Sequence, residues 1–435
     1  MLWHLKAPSS RPVGRQRWIA FLVVVTLAWV PTMADGQAAP IRPSQKSVLD
    51  SLIVAHSHFI GIDRDSLIGP GAKLILDAAV AAQFVALGEQ HNTREIPEIT
   101  RILFLTLRHR GGYRYLAIEQ DPVTMGRISK PPVRGNLDSI VAISRRYPHA
   151  FTFVGDDELR MLAAVGRMSS ATTDPIWGCE QAFGLAHILD RLVAIDSTAR
   201  RIAGFAPMRD TAFARERVRD LARYAHMGQP HQEGLQRLWD AMRLDPSSEA
   251  AFLLQSAIIS NRIYRNHPVK RYDANFEREE YMKSRFMTEY RRAMSSGETM
   301  PRVLLKHGHW HLFRGLGPGG LQTLGNFVSE LAVANGQSSV HVAFYPNNAP
   351  GGYGDLSAGS DPLLRRVAKV IGRERSTIVD LRPLRPHFAH HGNALEEIPV
   401  EEREALRRWI FGFDYAWFVV GMRQTSYDFN PGVKY

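Results

Sequence analysis

Phe84-Val85-Ala86-Leu87-Gly88-Glu89-Gln90-His91 is a short apolar run closed by a glycine and a carboxylate, and its reading decides the fold class. Four consecutive apolar residues without alternation suit a strand covered on both faces, the habit of parallel sheets. Pro97 can sit in the first turn of the next helix, where its missing N–H costs nothing, and Gly111-Gly112 stops that helix. Tyr115-Leu116-Ala117-Ile118 then repeats the buried pattern and is followed at once by Glu119. Strand, helix and strand at this spacing make a βαβ unit. The expected fold is therefore α/β, an open and largely parallel sheet flanked by helices.

Working outward, Leu67–Ala82 reads as a helix, Phe151-Thr152-Phe153-Val154 as a further strand, Glu158–Val165 as a helix and Pro175–Gly178 as a short strand. From Gln181 to about Arg292 strand signals nearly vanish, and stripes such as Leu185, Ile188, Leu189 and Leu192 predict a helical insertion beside the cleft. The α/β pattern returns with strands at Val303–Leu305, Val340–Phe344, Thr377–Val379 and Tyr415–Val420, and a helix at Glu401–Ile410. Gly351–Ser360 reads as a surface loop. The expected organisation is an export signal over 1–34, a flexible segment over 35–48, and the α/β domain in two parts, 49–180 and 293–435. The helical insertion, 181–292, separates those parts.

The bulk composition is that of a globular protein: 435 residues, 45% hydrophobic and 22% charged. The net charge of +11 owes four units to Lys6, Arg11, Arg15 and Arg17, and the remainder is spread without a basic patch, which argues against nucleic-acid binding. Those basic residues, the apolar run Trp18–Val30 and the small residues near Ala34 have the order of an export signal, implying a periplasmic or secreted protein, or a tethered one if the signal is uncleaved. Beyond Ala39 no comparable apolar stretch follows, so no stable membrane insertion of the mature chain is expected. The single cysteine, Cys179, has no internal disulfide partner.

Three segments place polar groups just past buried strands: Glu89 and His91, then Glu119, then His307-Gly308-His309-Trp310-His311. In an open parallel sheet such positions line the crevice at the carboxyl ends of the strands. A histidine oriented by a carboxylate can take a proton from water near neutral pH, and an arginine such as Arg94 can hold an anionic group. Capping of the next helix is the plain alternative for Glu89. The same donors suit zinc or iron, although no HExxH is present. No G-x-S-x-G elbow is present either, and the Gly-rich Arg314–Gly320 lacks the lysine of a Walker loop.

The blocks Gly88–Glu95 and Tyr115–Glu119 resemble the opening of the erythromycin esterase-like family. Arg278-Glu279-Glu280-Tyr281-Met282 is similar to that family's helix before its histidine motif, Val303–His311 to the motif itself and Phe413–Val420 to a late strand. The resemblance implies catalysis by histidines and glutamates acting on water, with no cofactor and a small-molecule ester or lactone as substrate. His91 would be the general base, Glu89 and Glu119 would orient it or organise the water, His307 would be the second histidine, and Glu95 would match the glutamate of the first helix. Arg94, His309, His311 and Arg314 would contact substrate, and the central helices would form the selecting wall. Only Gln90 separates Glu89 from His91, where the family usually has two residues. That shortened form also resembles haem- or iron-binding lipoproteins, which implies the alternative of a periplasmic haem- or metal-binding protein without turnover. Its cofactor would be zinc, iron or haem, with Glu89, His91, His307 and His309 as candidate ligands.

Overall fold

The computed structural model describes residues 47–171, 173–217, 231–348, 362–389 and 398–433; the expected export signal, most of the segment after it and the loop at 351–360 lie outside these. Eight strands among them make one sheet: β1 (Ser57–Phe59), β2 (Phe84–Glu89), β3 (Tyr115–Ile118), β4 (Ile176–Gly178), β5 (Val303–Gly308), β6 (Ser339–Asn347), β7 (Thr377–Asp380) and β8 (Tyr415–Val420). Their order is β1-β7-β8-β6-β2-β5-β3-β4. All neighbours from β8 to β4 pair in parallel, and only β7 runs against its partners. The expected architecture is present, with five α-helices among the described residues between Ala186 and Ser295 as an extra helical region.

The buried runs explain the sheet. On β2, Val85 and Leu87 enter one core layer while Phe84 and Ala86 enter the other. On β5, Leu304 joins the first layer and Val303 and Leu305 join the second. Each fully buried side chain of this kind contributes about 1.5–3 kcal/mol, so two packed faces hold the fold without a disulfide. The helix Glu95–Gly111 carries Glu95 and Glu98 in its first turn and Arg108, His109 and Arg110 in its last, matching its macrodipole. Gly112, at φ 68°, closes it in the left-handed conformation.

Several expectations are corrected. Phe151–Val154 is not a strand: the Gln120 side chain accepts from the Thr152 N–H at 2.8 Å and donates to the Phe153 carbonyl at 2.8 Å, taking the bonds a neighbouring strand would take. The helix expected from Leu67 starts at Pro70, because Gly61–Asp63 and Ser66–Ile68 form a small antiparallel pair first. Strand β1 escaped notice, being three residues long and half-buried. His307 lies inside β5, and His309–His311 is a single 3-10 turn, so the three histidines do not point one way.

Candidate active site and cation centre

Strand β5 lies between β2 and β3, with Gly88 opposite His307 and Ala117 opposite Leu305. That order brings residues 89, 119 and 307 to one end of three adjacent strands. The alternation of the pleat then sorts them. Glu89 and Lys306 fall on the side of Leu87 and Leu304, while Glu119 and His307 fall on the side of Ala117 and Leu305.

On the first side Lys306, only 2% exposed, sets its Nζ 2.7 Å from Glu89 and 2.9 Å from Glu158, both buried. Burial pushes the Glu89 pKa up, but Lys306 and then His91 outweigh it, and the carboxyl rests below its ordinary range. Glu158 is instead raised, by burial first and by Glu89 in addition, against the pull of Lys306. His91 Nδ1 stands 3.2 Å from Glu89 and Nε2 stands 3.7 Å from Glu119. The ring stacks on Phe153 at 4.1 Å, with about a third (34%) of the side chain open to the cleft. Burial draws the His91 pKa down, yet Glu119 and Glu89 together raise it above the usual value.

On the second side Glu119 accepts the Gly308 N–H at 2.6 Å and the Arg278 guanidinium at 2.7 Å. Arg278 also grips the fully buried Glu180, its Nε at 2.9 Å from one oxygen and 3.1 Å from the other. His311 Nδ1 is fixed by Glu279 at 2.5 Å, which leaves Nε2 3.7 Å from Glu119. Burial raises Glu119, but His91, His311 and Arg278 hold it well below the carboxylate range. Glu180 remains raised by its burial despite Arg278.

His307 is wholly buried, and neither ring nitrogen has a hydrogen-bond partner among the described residues. Burial lowers its pKa to about 3, so it is a neutral imidazole. Two glycines make the close approach possible. A Cβ on Gly308 would lie 2.8 Å from His91 Nε2 and 3.2 Å from Glu119 Oε2, and one on Gly88 would lie 2.8 Å from His309 Cβ. Above these groups is a cavity of about 610 Å³, walled in part by Phe153, Trp310, Leu321 and, from the helical region, Arg271, Asn275 and Arg278.

Of the residues named from sequence, Glu89, His91, Glu119, His309 and His311 line this cavity. His307 is beneath it, within β5. Glu95 faces elsewhere, accepting the Arg423 N–H at 2.9 Å and pairing with its guanidinium at 3.3 Å. Arg94 is exposed and is not among the cavity walls. Arg314 is committed to Asp414, 2.6 Å away, and to the Ser339 carbonyl. Sequence reasoning missed Arg278, Glu279, Lys306 and Glu158 as site groups. Glu180 follows an apolar strand just as Glu89 and Glu119 do, and that signal could have found it.

The expectation of no cofactor is overturned by the donor geometry. Glu119, Glu180 and His311 each offer one ligand atom, and these atoms lie within 4.8 Å of one another. Two carboxylates and an imidazole are a suitable set for zinc, iron or manganese. None of Glu89, His91, His307 and His309, the expected ligands, belongs to this group. In this structure the Arg278 guanidinium pairs with both of these carboxylates.

Neither a family model nor a curated protein sequence matches the chain. The fold itself is shared. A succinoglycan biosynthesis protein aligns over 88% of this chain and 99% of its own, at 12% identity and a TM-score of 0.53. A mutant of the erythromycin esterase EreC, in its open conformation, aligns over 82% of this chain and 95% of its own, at 15% identity and a TM-score of 0.50. Haem-binding ChaN of Campylobacter jejuni aligns over 66% of this chain and 91% of its own, at 11% identity and a TM-score of 0.30, too distant to carry an argument. The esterase resemblance thus holds as a distant likeness of fold and assigns no family.

Proposed function

We propose that the protein binds a divalent metal ion through Glu119, Glu180 and His311 and receives a small-molecule ligand in the cleft above them. The observation that carries this reading is the gathered donor set, with ligand atoms within 4.8 Å. The bond from His311 Nδ1 to Glu279 supports it, because a carboxylate that fixes one ring nitrogen aims the other at a metal. Bound there, the ion would supply a Lewis acid that polarises a ligand oxygen. The helical region contributes Arg271, Asn275 and Arg278 to the cleft wall, consistent with a selecting role for residues 181–292.

A second reading is favoured by His91. A ring one-third open to the cleft, set between two buried carboxylates, has the arrangement of a general base, with Glu89 at Nδ1 and Glu119 3.7 Å from Nε2. In this reading the protein hydrolyses an ester or lactone, and the fold shared with an erythromycin esterase agrees with it. The donor cluster speaks for cation binding directly, whereas hydrolysis rests on one histidine and a likeness of fold. Export belongs to both readings and rests on the N-terminal pattern; among the described residues no helix is long and apolar enough to cross a membrane.

The deciding experiment is elemental analysis of protein purified without chelator or metal-affinity resin. About one zinc, iron or manganese per chain, lost in His311→Ala and Glu180→Gln, is the expected result. Metal far below stoichiometry, in a folded protein that takes up none on addition, sinks the cation reading. An ester and lactone screen then tests hydrolysis, which requires His91→Ala to abolish turnover while leaving the fold intact.

A further inference from the structure

A second cavity, of about 1130 Å³, opens on the helical side of the molecule, away from the Glu/His cleft. Its walls carry eight arginine and lysine side chains against four aspartates and glutamates. Pairing uses up the acids. Asp190 is shared by Arg146 and Arg209, at 3.3 Å and 3.1 Å; Glu249 holds Arg191 at 2.7 Å; Asp174 holds Arg292 at 2.8 Å; Glu289 holds Arg285 at 3.2 Å. Arg127, Lys130 and Arg200 are left exposed and make no ion pair among the described residues. Arg127 and Arg146 both stand over the Tyr147 ring, at 6.0 Å and 5.1 Å from its centroid. Eight cations against four acids, three of the cations exposed and outside any ion pair among the described residues, give this wall the excess positive charge that suits an anionic occupant.

We propose that this cavity binds a multiply anionic, phosphate-bearing small molecule, with Arg127, Lys130 and Arg200 meeting its charge. The size has room for the class, since small-molecule sites span about 300–1,000 Å³ and this cavity lies just above that range. Three unpaired cations suit several charges on one ligand better than a single carboxylate. The site is independent of the Glu/His cleft and of the reading given to it.

The test is calorimetric titration of the full chain with inorganic tripolyphosphate, in chelator and at low salt. Binding is expected to weaken as salt rises, because the exposed charges are screened. R127A/K130A should lower affinity by about tenfold or more, the loss of charge-assisted contacts, while thermal unfolding stays that of the parent. R271Q, which alters the rim of the Glu/His cleft, should bind as the parent does. No binding at millimolar tripolyphosphate overturns the proposal. So does binding that R127A/K130A leaves intact, or that R271Q removes.

Discussion

Replacing Lys306 by methionine removes the cation that joins the buried Glu89 and Glu158 while keeping an aliphatic stem of similar length. Lys306 is 2% exposed, and the side chains of Glu89 and Glu158 are 2% and 6% exposed, so water cannot compensate the loss. Deleting one partner of such a buried pair costs about 3–5 kcal/mol, because a desolvated charge is left alone. Urea unfolding at pH 7.5 should therefore show Lys306→Met less stable by about that amount. Combining it with Glu158→Gln should restore part of the loss, since one unpaired acid is gone. The pH dependence carries the sign. Without Lys306 the buried acids rise above their ordinary range in the folded state, and the variant binds more protons folded than unfolded. Its deficit should then shrink as pH falls from 7.5 toward the ordinary carboxylate range and be largest at high pH. His91 reports on the same change: in the parent Glu119 and Glu89 raise its pKa, and a protonated Glu89 should let it fall, visible in imidazole NMR titration. A loss below about 1 kcal/mol, flat with pH, would refute the account of a desolvated charge triad.

Arg278→Gln should destabilise the metal-free protein, because Glu119 and Glu180 lose their cation, and should bind zinc or manganese about tenfold more tightly than the parent. Thermal unfolding with and without metal reads both effects, and a variant whose midpoint metal does not raise more than the parent's counts against the cation site. Gly308→Ala drives a methyl to 2.8 Å from His91 Nε2, which overpacks the site at a cost of about 1–3 kcal/mol and shifts the His91 imidazole resonances. Unchanged resonances would mean the site has slack the geometry denies. His341 is buried with its pKa lowered to about 3, chiefly by burial and then by Arg314. A base that stays neutral when folded and charges when unfolded below its ordinary 6.5 costs about 1.4 kcal/mol of stability per pH unit between those values. His341→Asn should flatten the stability profile between pH 6 and 4.5, measured by urea unfolding; an identical slope would show that His341 is not the group titrating.

Some of the fold was legible because its cause is local. Uninterrupted apolar runs at 84–87, 115–118 and 415–420 can be buried only on both faces, which dictates parallel strands flanked by helices. A carboxylate directly after such a run must stand at the strand's carboxyl end, so Glu89 and Glu119 were readable as cleft residues, and Glu180 obeys the same rule. The absence of strands among the described residues of 181–292 likewise follows from helical stripes visible one turn at a time.

Other features were decided only by contacts between distant residues. Nothing in Val303–Gly308 says that this strand inserts between β2 and β3, yet that insertion alone brings His307 beside Gly88 and Lys306 toward Glu89 and Glu158. Arg94 and Arg314 looked available in sequence, but one is outside the cleft wall and the other is claimed by Asp414, while Arg278 reaches Glu119 and Glu180 from a helix about a hundred residues past the latter. The turn at His309–His311 separates side chains that an extended chain would have aligned. The burial of the central strands on both faces follows from local apolar runs, which the sequence carries by itself. Strand order, the pairing of buried charges and the vacancy left by Gly308 follow from long-range packing, where each group's partner is chosen by whichever opposite charge or apolar surface the folded chain brings within reach.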